Sequence, residues 1–84
     1  MPRTQQSVLF SRHRSPPQIN GGNGWRVEDA QAWLRASQRR VGKTDTTAEW
    51  HRFRQHDPDD CDPKGFTTVK RGYPIGIQVI TCVE

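Results

Sequence analysis

One segment of the chain repeats its apolar residues with a helical spacing, and this constrains the fold more than any other feature. Between residue 25 and about residue 40, apolar or small side chains recur every three or four positions. Such residues lie along one stripe of an α-helix, so the segment predicts a single helix with one side facing a core. The stripe consists of Val27, Ala30, Trp33, Leu34 and Ser37.

Polar residues at both ends of this segment support the helix. Asn23 can cap its start, and Glu28 and Asp29 lie near the positive N-terminal end of the helix dipole. Gly42 follows as a stop signal. The negative C-terminal end is matched by three cations, Arg35, Arg39 and Arg40.

The remaining apolar segments have the spacing of β-strands. Residues 50–55, 66–70 and 75–83 alternate, and 7–10 is a short run of the same kind. Residues 43–47 are expected to form a turn, and 70–74 is a tight-turn candidate that makes the last two strands an antiparallel hairpin. The predicted fold is α+β, with one helix packed on a small, mostly antiparallel sheet of three to four strands in the order β-α-β-β-β.

The length of the chain limits it to one small domain. At 84 residues, only a small core can form, and we expect a single domain over residues 1–84. Residues 11–24 contain a Pro pair and a Gly pair with few bulky apolar groups, which predicts a flexible connection. No apolar run has the length of a signal peptide or a membrane-spanning helix, so a soluble, intracellular protein is expected.

The two cysteines carry no metal-binding or redox motif. Cys61 and Cys82 stand apart without a CxxC pattern. In a reducing compartment such cysteines are free thiols, and Cys82 in an apolar strand is expected to serve packing. The acidic neighbours of Cys61 disfavour a reactive thiolate, which argues against a nucleophile.

The strand at 50–55 carries the residues most suited to binding. Thirteen Lys and Arg outnumber nine Asp and Glu, so an anionic partner is favoured. Alternation places Trp50, Arg52 and Arg54 on one side of the strand and Phe53 on the other. Guanidinium groups pair with phosphate or carboxylate, and an indole stacks on a base. In the alternative interpretation, Arg52 and Arg54 neutralise nearby aspartates and Trp50 caps a second small core.

The acidic run after this strand raises the question of a metal. It lacks the glycine and the final glutamate of an EF-hand loop, which leaves another divalent-cation site or a solvated turn as alternatives. A zinc set drawn from the histidines and cysteines has no ligand pair at zinc-like spacing. We therefore expect no cofactor and no catalytic residue. The run contains Asp57, Asp59, Asp60 and Asp62.

Several short motifs follow one another along the chain in a recognisable order. They are S-V-L-F, W-x-x-E-D-A-x-x-W-L, G-K-x-D-x-T, W-H-R-F-R-Q-x-D-P, F-x-T-V and G-I-Q-V-I-T-C. This order resembles a small domain of tailed bacteriophages and prophages, whose members share an E-x-A-x-x-W-L helix, an R-[FY]-R-Q-x-[DS]-P strand and a closing G-I-x-A-V strand. The resemblance covers nearly the whole chain outside residues 11–24, and R-F-R-Q is its most specific part. It implies a phage context and no particular mechanism.

The leading hypothesis is a phage-encoded, non-enzymatic binding protein, and the phage context implies a location in the host cytoplasm or in a virion. Its expected partner is an anionic macromolecule, either nucleic acid or a nucleic-acid-handling host protein such as a defence complex, which makes it comparable to an anti-CRISPR inhibitor. One alternative is a structural or assembly protein of the virion, and another is a metal-dependent nuclease that uses the aspartates. The predicted binding surface consists of Trp50, Arg52, Arg54, Arg35, Arg39 and Arg40.

Overall fold

The chain forms one helix and five strands in a computed structural model that describes residues 3–56, 59, 61–62 and 64–83. The predicted α+β class is confirmed, but the sheet has five strands instead of three or four. In chain order, the elements are β1 (Arg3–Ser11), α1 (Val27–Ala36), β2 (Thr44–Thr46), β3 (Trp50–Arg54), β4 (Thr67–Val69) and β5 (Ile77–Val83).

The sheet has the order β2-β3-β1-β5-β4, and each neighbouring pair is antiparallel. The predicted hairpin of the last two strands is confirmed by the pairing of β4 with β5. The expected turn at 43–47 is wrong, because its threonines form the edge strand β2 beside β3. Three residues are too few to show an alternating pattern, so β-branched Thr was the only strand signal there.

Helix α1 covers one face of this sheet through the predicted stripe. Ala30 and Leu34 are fully buried, and Val27 and Trp33 pack against the same core. The opposite wall of the core comes from β1, β3 and β5, through Val8, Phe10, Phe53, Ile77 and Val79. Burial of these apolar groups is the main term that stabilises so small a domain.

The start of α1 differs from the prediction. The helix begins after Arg26, not at Asn23, because the Asp29 carboxylate accepts hydrogen bonds from the Arg26 backbone N–H at 3.2 Å and from its Nε at 2.8 Å. This contact lowers the pKa of Asp29. Asn23 instead closes a 3-10 turn at Asn20–Gly22.

The segment from residue 12 to residue 24 follows a defined path, and its mobility stays a prediction. The buried Ser15 hydroxyl donates to the Ile19 carbonyl at 2.7 Å and accepts from the Gly24 backbone N–H at 3.0 Å. Gly24 has a positive φ of 126°, and a Cβ there would collide with the Arg12 carbonyl. Only glycine fits this close approach of two chain segments.

The central strand β1 contains a bulge at its polar half. Gln5 pairs with Thr81 and Ser7 pairs with Ile80, so Gln6 is an extra residue in β1. Gln6 and Ser7 are both fully buried. The Gln6 carbonyl accepts the backbone N–H groups of Gln55 and His56, at 2.8 and 3.1 Å. The bulge therefore anchors the chain where it leaves β3.

A disulfide joins the segment after β3 to the last strand. Cys61 and Cys82 are bonded, with their Cα atoms 5.7 Å apart, so the expectation of two free thiols is wrong. The segment leaving β3 must reach β4 on the far side of the sheet, and this path brings Cys61 to β5. The Asp62 backbone N–H also donates to the Val83 carbonyl at 2.8 Å. Sequence spacing alone does not reveal this approach.

We expect the disulfide to stabilise the fold by about 3 kcal/mol, because it closes a loop with a sequence separation of 21 and thereby restricts the unfolded chain. Urea unfolding with and without reductant measures this difference. The Cys61→Ser, Cys82→Ser variant should have the unfolding midpoint of the reduced protein, and reductant should not change it. An unchanged unfolding midpoint on reduction would contradict the prediction.

We also expect stability to fall below neutral pH because of His51. Burial, and then the positive charge of Arg12, lower the pKa of His51 from 6.5. The unfolded chain therefore takes up the proton more readily, so this contribution is present above about pH 6.5 and is lost as the pH falls through the lower pKa of the folded state. Urea midpoints between pH 7 and pH 5 should decrease less for His51→Gln than for the wild type. Equal decreases would contradict this.

Candidate anion-binding face of the sheet

Strand β3 divides its side chains between the core and the face of the sheet opposite α1, which we call the open face. His51 and Phe53 are buried on the helix side. Trp50 is half-buried, and Arg52 and Arg54 are exposed on the open face. The alternation predicted from the sequence is therefore observed. The three open-face residues have different environments.

Arg52 has a structural role in the middle of the face. Its Nε donates to the Ser7 hydroxyl at 3.1 Å, and its Nη2 donates to the Gln6 side-chain oxygen at 3.1 Å. These two acceptors are fully buried and need hydrogen-bond partners. The guanidinium is thus held by a glutamine and a serine.

Arg54 lines a basic hollow at the end of β3. The hollow has a volume of about 250 Å³, and Arg40 and Lys43 converge on it from the segment after α1. Within the described part of the chain, these three side chains make no ion pair or hydrogen bond through their charged groups. We call this site the Arg54 hollow; its lining residues are Arg40, Gly42, Lys43, Arg54 and His56.

Gln55 holds Arg40 at this hollow. Its side-chain oxygen accepts the Arg40 backbone N–H at 2.8 Å, and its side-chain nitrogen donates to the Arg40 carbonyl at 2.7 Å. One amide side chain thereby satisfies both backbone groups of a residue outside the sheet. The last residue of R-F-R-Q therefore positions a cation beside Arg54.

Trp50 lines a second hollow at the opposite end of the strand. It has a volume of about 300 Å³, and it brings Trp50 together with the cations Arg14 and Lys70. Ser11, which faces Trp50 across the sheet, accepts the Arg14 backbone N–H through its hydroxyl at 3.1 Å. We call this site the Trp50 hollow; its lining residues are Ser11, Arg14, Trp50, Lys70, Pro74, Gly76, Ile77 and Gln78.

The helix arginines are not brought together as a group. Arg39 donates to the Gln5 side-chain oxygen at 2.8 Å, and its guanidinium lies 4.9 Å from the centre of the Trp33 ring. These contacts place it on the helix side of the sheet. Arg35 is exposed in the last turn of α1. Of the three predicted helix arginines, Arg40 alone joins Arg54.

Sequence reasoning missed three cations of the two hollows as members of a site. Arg14, Lys43 and Lys70 lie in the loops that flank β1, β2 and β4, where no periodic pattern marks them. The one sequence feature that these three cations share, and that could have indicated a site, is a position near the end of a strand. Two residues next to Arg14 have other roles, since Arg12 donates to the Thr47 carbonyl at 2.6 Å and the His13 ring contacts the Ala48 carbonyl at 3.0 Å.

The acidic run is only partly visible. Asp57 and Asp60 lie outside the described residues. The Asp62 carboxylate accepts the Lys64 backbone N–H at 2.9 Å, as expected for a solvated turn. Among the described residues, no three His, Cys, Asp or Glu side chains group as metal ligands. The disulfide removes both cysteines from the zinc set considered above.

Comparison with protein families, curated proteins and solved structures gives no match for this chain. Within the described residues, no helix is long and apolar enough to cross a bilayer.

Arg52 and Arg54 allow a matched comparison, among the described residues, between an arginine that is hydrogen-bonded within the fold and one that is not. Arg52→Ala removes two donors from buried acceptors and should lower the free energy of unfolding by about 1–2 kcal/mol. Arg54→Ala should change it by less than about 0.5 kcal/mol, as for an unpaired surface side chain. Urea unfolding measures both values, and equal effects would contradict the assigned difference.

Proposed function

We propose that this protein is a non-enzymatic binding domain that holds a nucleic acid across the open face of its sheet. The observation that carries the proposal is the pair of basic hollows at the two ends of β3. Each hollow combines cations from different parts of the chain. Neither hollow is lined by an acidic side chain within the described residues.

The separation of the hollows suits a repeating anion. Trp50 and Arg54 are four residues apart on one strand, which corresponds to about 13 Å. A nucleic acid has a phosphate at every nucleotide, so one strand can reach both hollows. An acidic protein would instead need carboxylates that match the spacing of the two hollows. The five cationic residues that line the hollows are exposed, so their fields add and attract a polyanion.

The aromatic ring at one end favours nucleic acid over an acidic protein. Trp50 is half-buried with cations beside it. Proteins that bind single-stranded nucleic acids use this arrangement, in which bases stack on the aromatic ring and the cations contact phosphates. Among the described residues, Asp45 also lies on this face, because it pairs with Arg52 in the register of β2 and β3. This acid lies between the hollows and not in them.

The biological setting is part of the proposal. The order of motifs supports a phage-encoded protein that acts on host or phage nucleic acid or on a host protein that handles it, as an inhibitor would. The proposed setting is the host cytoplasm or the virion. The Cys61–Cys82 bond fits an oxidising environment or a virion better than a reducing cytoplasm.

Binding should depend on salt and on Arg54. We expect a labelled single-stranded oligonucleotide to bind with a log-log salt slope of about −2 to −3.5, from three to five phosphate contacts. Arg54→Ala should weaken binding about tenfold and make the slope about 0.7 shallower. Fluorescence anisotropy over a salt series measures both.

Arg35→Ala is the matched control, because it removes the same charge from the helix layer. Its affinity should stay within about twofold of the wild type, since a distant exposed charge is largely screened. Equal losses for Arg35→Ala and Arg54→Ala would show only a general charge effect and contradict the assigned face. An acidic protein captured in place of oligonucleotides would replace nucleic acid as the ligand.

Virion assembly, the alternative from another functional class, predicts a different behaviour. An assembly protein should self-associate or be found in purified particles. A monomer by sedimentation, absent from virions and binding oligonucleotides, would exclude that alternative.

A further inference from the structure

The two hollows differ in chemistry. The Arg54 hollow is lined by three cationic side chains, the His56 imidazole and a glycine, which together suit a phosphate group. The Trp50 hollow adds an indole plate and an amide side chain to its two cations. One hollow can therefore neutralise a backbone, whereas the other can also contact a base.

The polar groups of the Trp50 hollow are available to a ligand. Within the described part of the chain, the Trp50 indole N–H and the Gln78 side-chain amide form no hydrogen bond, and neither charged group of Arg14 and Lys70 has a partner. By contrast, the buried Trp25 indole N–H donates to the Ile75 carbonyl at 2.9 Å. An indole and an amide without partners, facing one hollow, are the groups that stack on a base and pair with its edge.

The walls of the hollow come from three chain segments. Trp50 and Ser11 form its floor on paired strands, and Arg14, Lys70 and Pro74 come from the loops around it. Gly76 holds two of these segments together, because a Cβ at its φ of 86° would collide with the Arg14 carbonyl. The volume of about 300 Å³ is at the lower end for small-molecule sites.

We propose that the Trp50 hollow holds one unpaired nucleobase, stacked on Trp50, with Gln78 at its edge and the adjacent phosphate between Arg14 and Lys70. This inference rests on the proposed function and narrows its ligand to single-stranded nucleic acid or an unpaired nucleotide in a duplex. A paired base is stacked between its neighbours and cannot enter a recess between loops without leaving the helix. The Arg54 hollow then holds the backbone of a neighbouring nucleotide.

The test compares three labelled probes of equal length at one fixed salt concentration, by anisotropy with the full chain. They are a single strand, the same sequence as a blunt duplex, and a strand in which abasic sites replace every base. We expect the single strand to bind at least about tenfold more tightly than the other two. The abasic strand keeps its phosphates, so a difference from the single strand reports the contribution of the bases. This comparison requires no variant of the protein.

Variants then assign the preference to the hollow. Trp50→Ala should weaken single-strand binding about tenfold, leave duplex and abasic binding unchanged, and so remove the preference. Trp50→Phe should retain most of it, because a ring remains. Gln78→Ala, at a half-buried position in β5, should reduce the preference with little effect on the fold. Arg54→Ala should weaken all three probes by a similar factor.

The outcomes separate this inference from the proposed function. Equal affinities for all three probes, with the expected salt slope, would overturn the base site and leave polyanion binding intact. A preference for the single strand that persists in Trp50→Ala would also overturn it. Failure of every probe to bind at low salt would overturn the proposed function itself.

Discussion

The buried polar pair Gln6 and Ser7 determines how the rest of the sheet is arranged. The bulge places Gln6 as an extra residue in the central strand. The Gln6 carbonyl accepts hydrogen bonds from the two backbone N–H groups that follow β3. Both side chains are fully buried, and Arg52 supplies donors to them from the open face. An apolar pair would need no such donor, so the bulge couples the middle of β3 to the central strand by hydrogen bonds of defined geometry.

This constraint divides the R-F-R-Q segment among different tasks. Phe53 packs in the core, where its ring meets that of Phe10 edge-on at 5.5 Å. Arg52 satisfies the bulge, and Gln55 holds the backbone of Arg40. The charged group of Arg54 has no partner among the described residues. Three of the four residues therefore serve the fold, and the fourth lies at the site that the other three position.

The sequence predicted those parts of the fold that follow a local period. The helical stripe, the alternation along β3 and the final hairpin all depend on near neighbours in the chain, and the structure confirms them. The polar half of β1 was missed because its buried residues are Gln6 and Ser7. Hydrogen bonds to each other, to the His56 carbonyl and to Arg52 make their burial tolerable. The disulfide and the Arg54 hollow join segments that no spacing relates. For the same reason, Arg14, Lys43 and Lys70 could not be assigned to a site beforehand.

Net charge alone does not show which cations of this protein can bind an anion. The contacts that each cation makes within the fold are a better indicator. Arg12 is engaged by a carbonyl, Arg26 by a carboxylate and Arg39 by an aromatic ring and an amide, so each contributes to the fold. None of the five cations around the two hollows has such a side-chain partner within the described residues. A charge without a partner costs little while it is solvated and gains most when an anion arrives, because no existing contact must be broken. The available binding energy is thus concentrated at the two ends of β3, even though the cations are spread along the whole sequence.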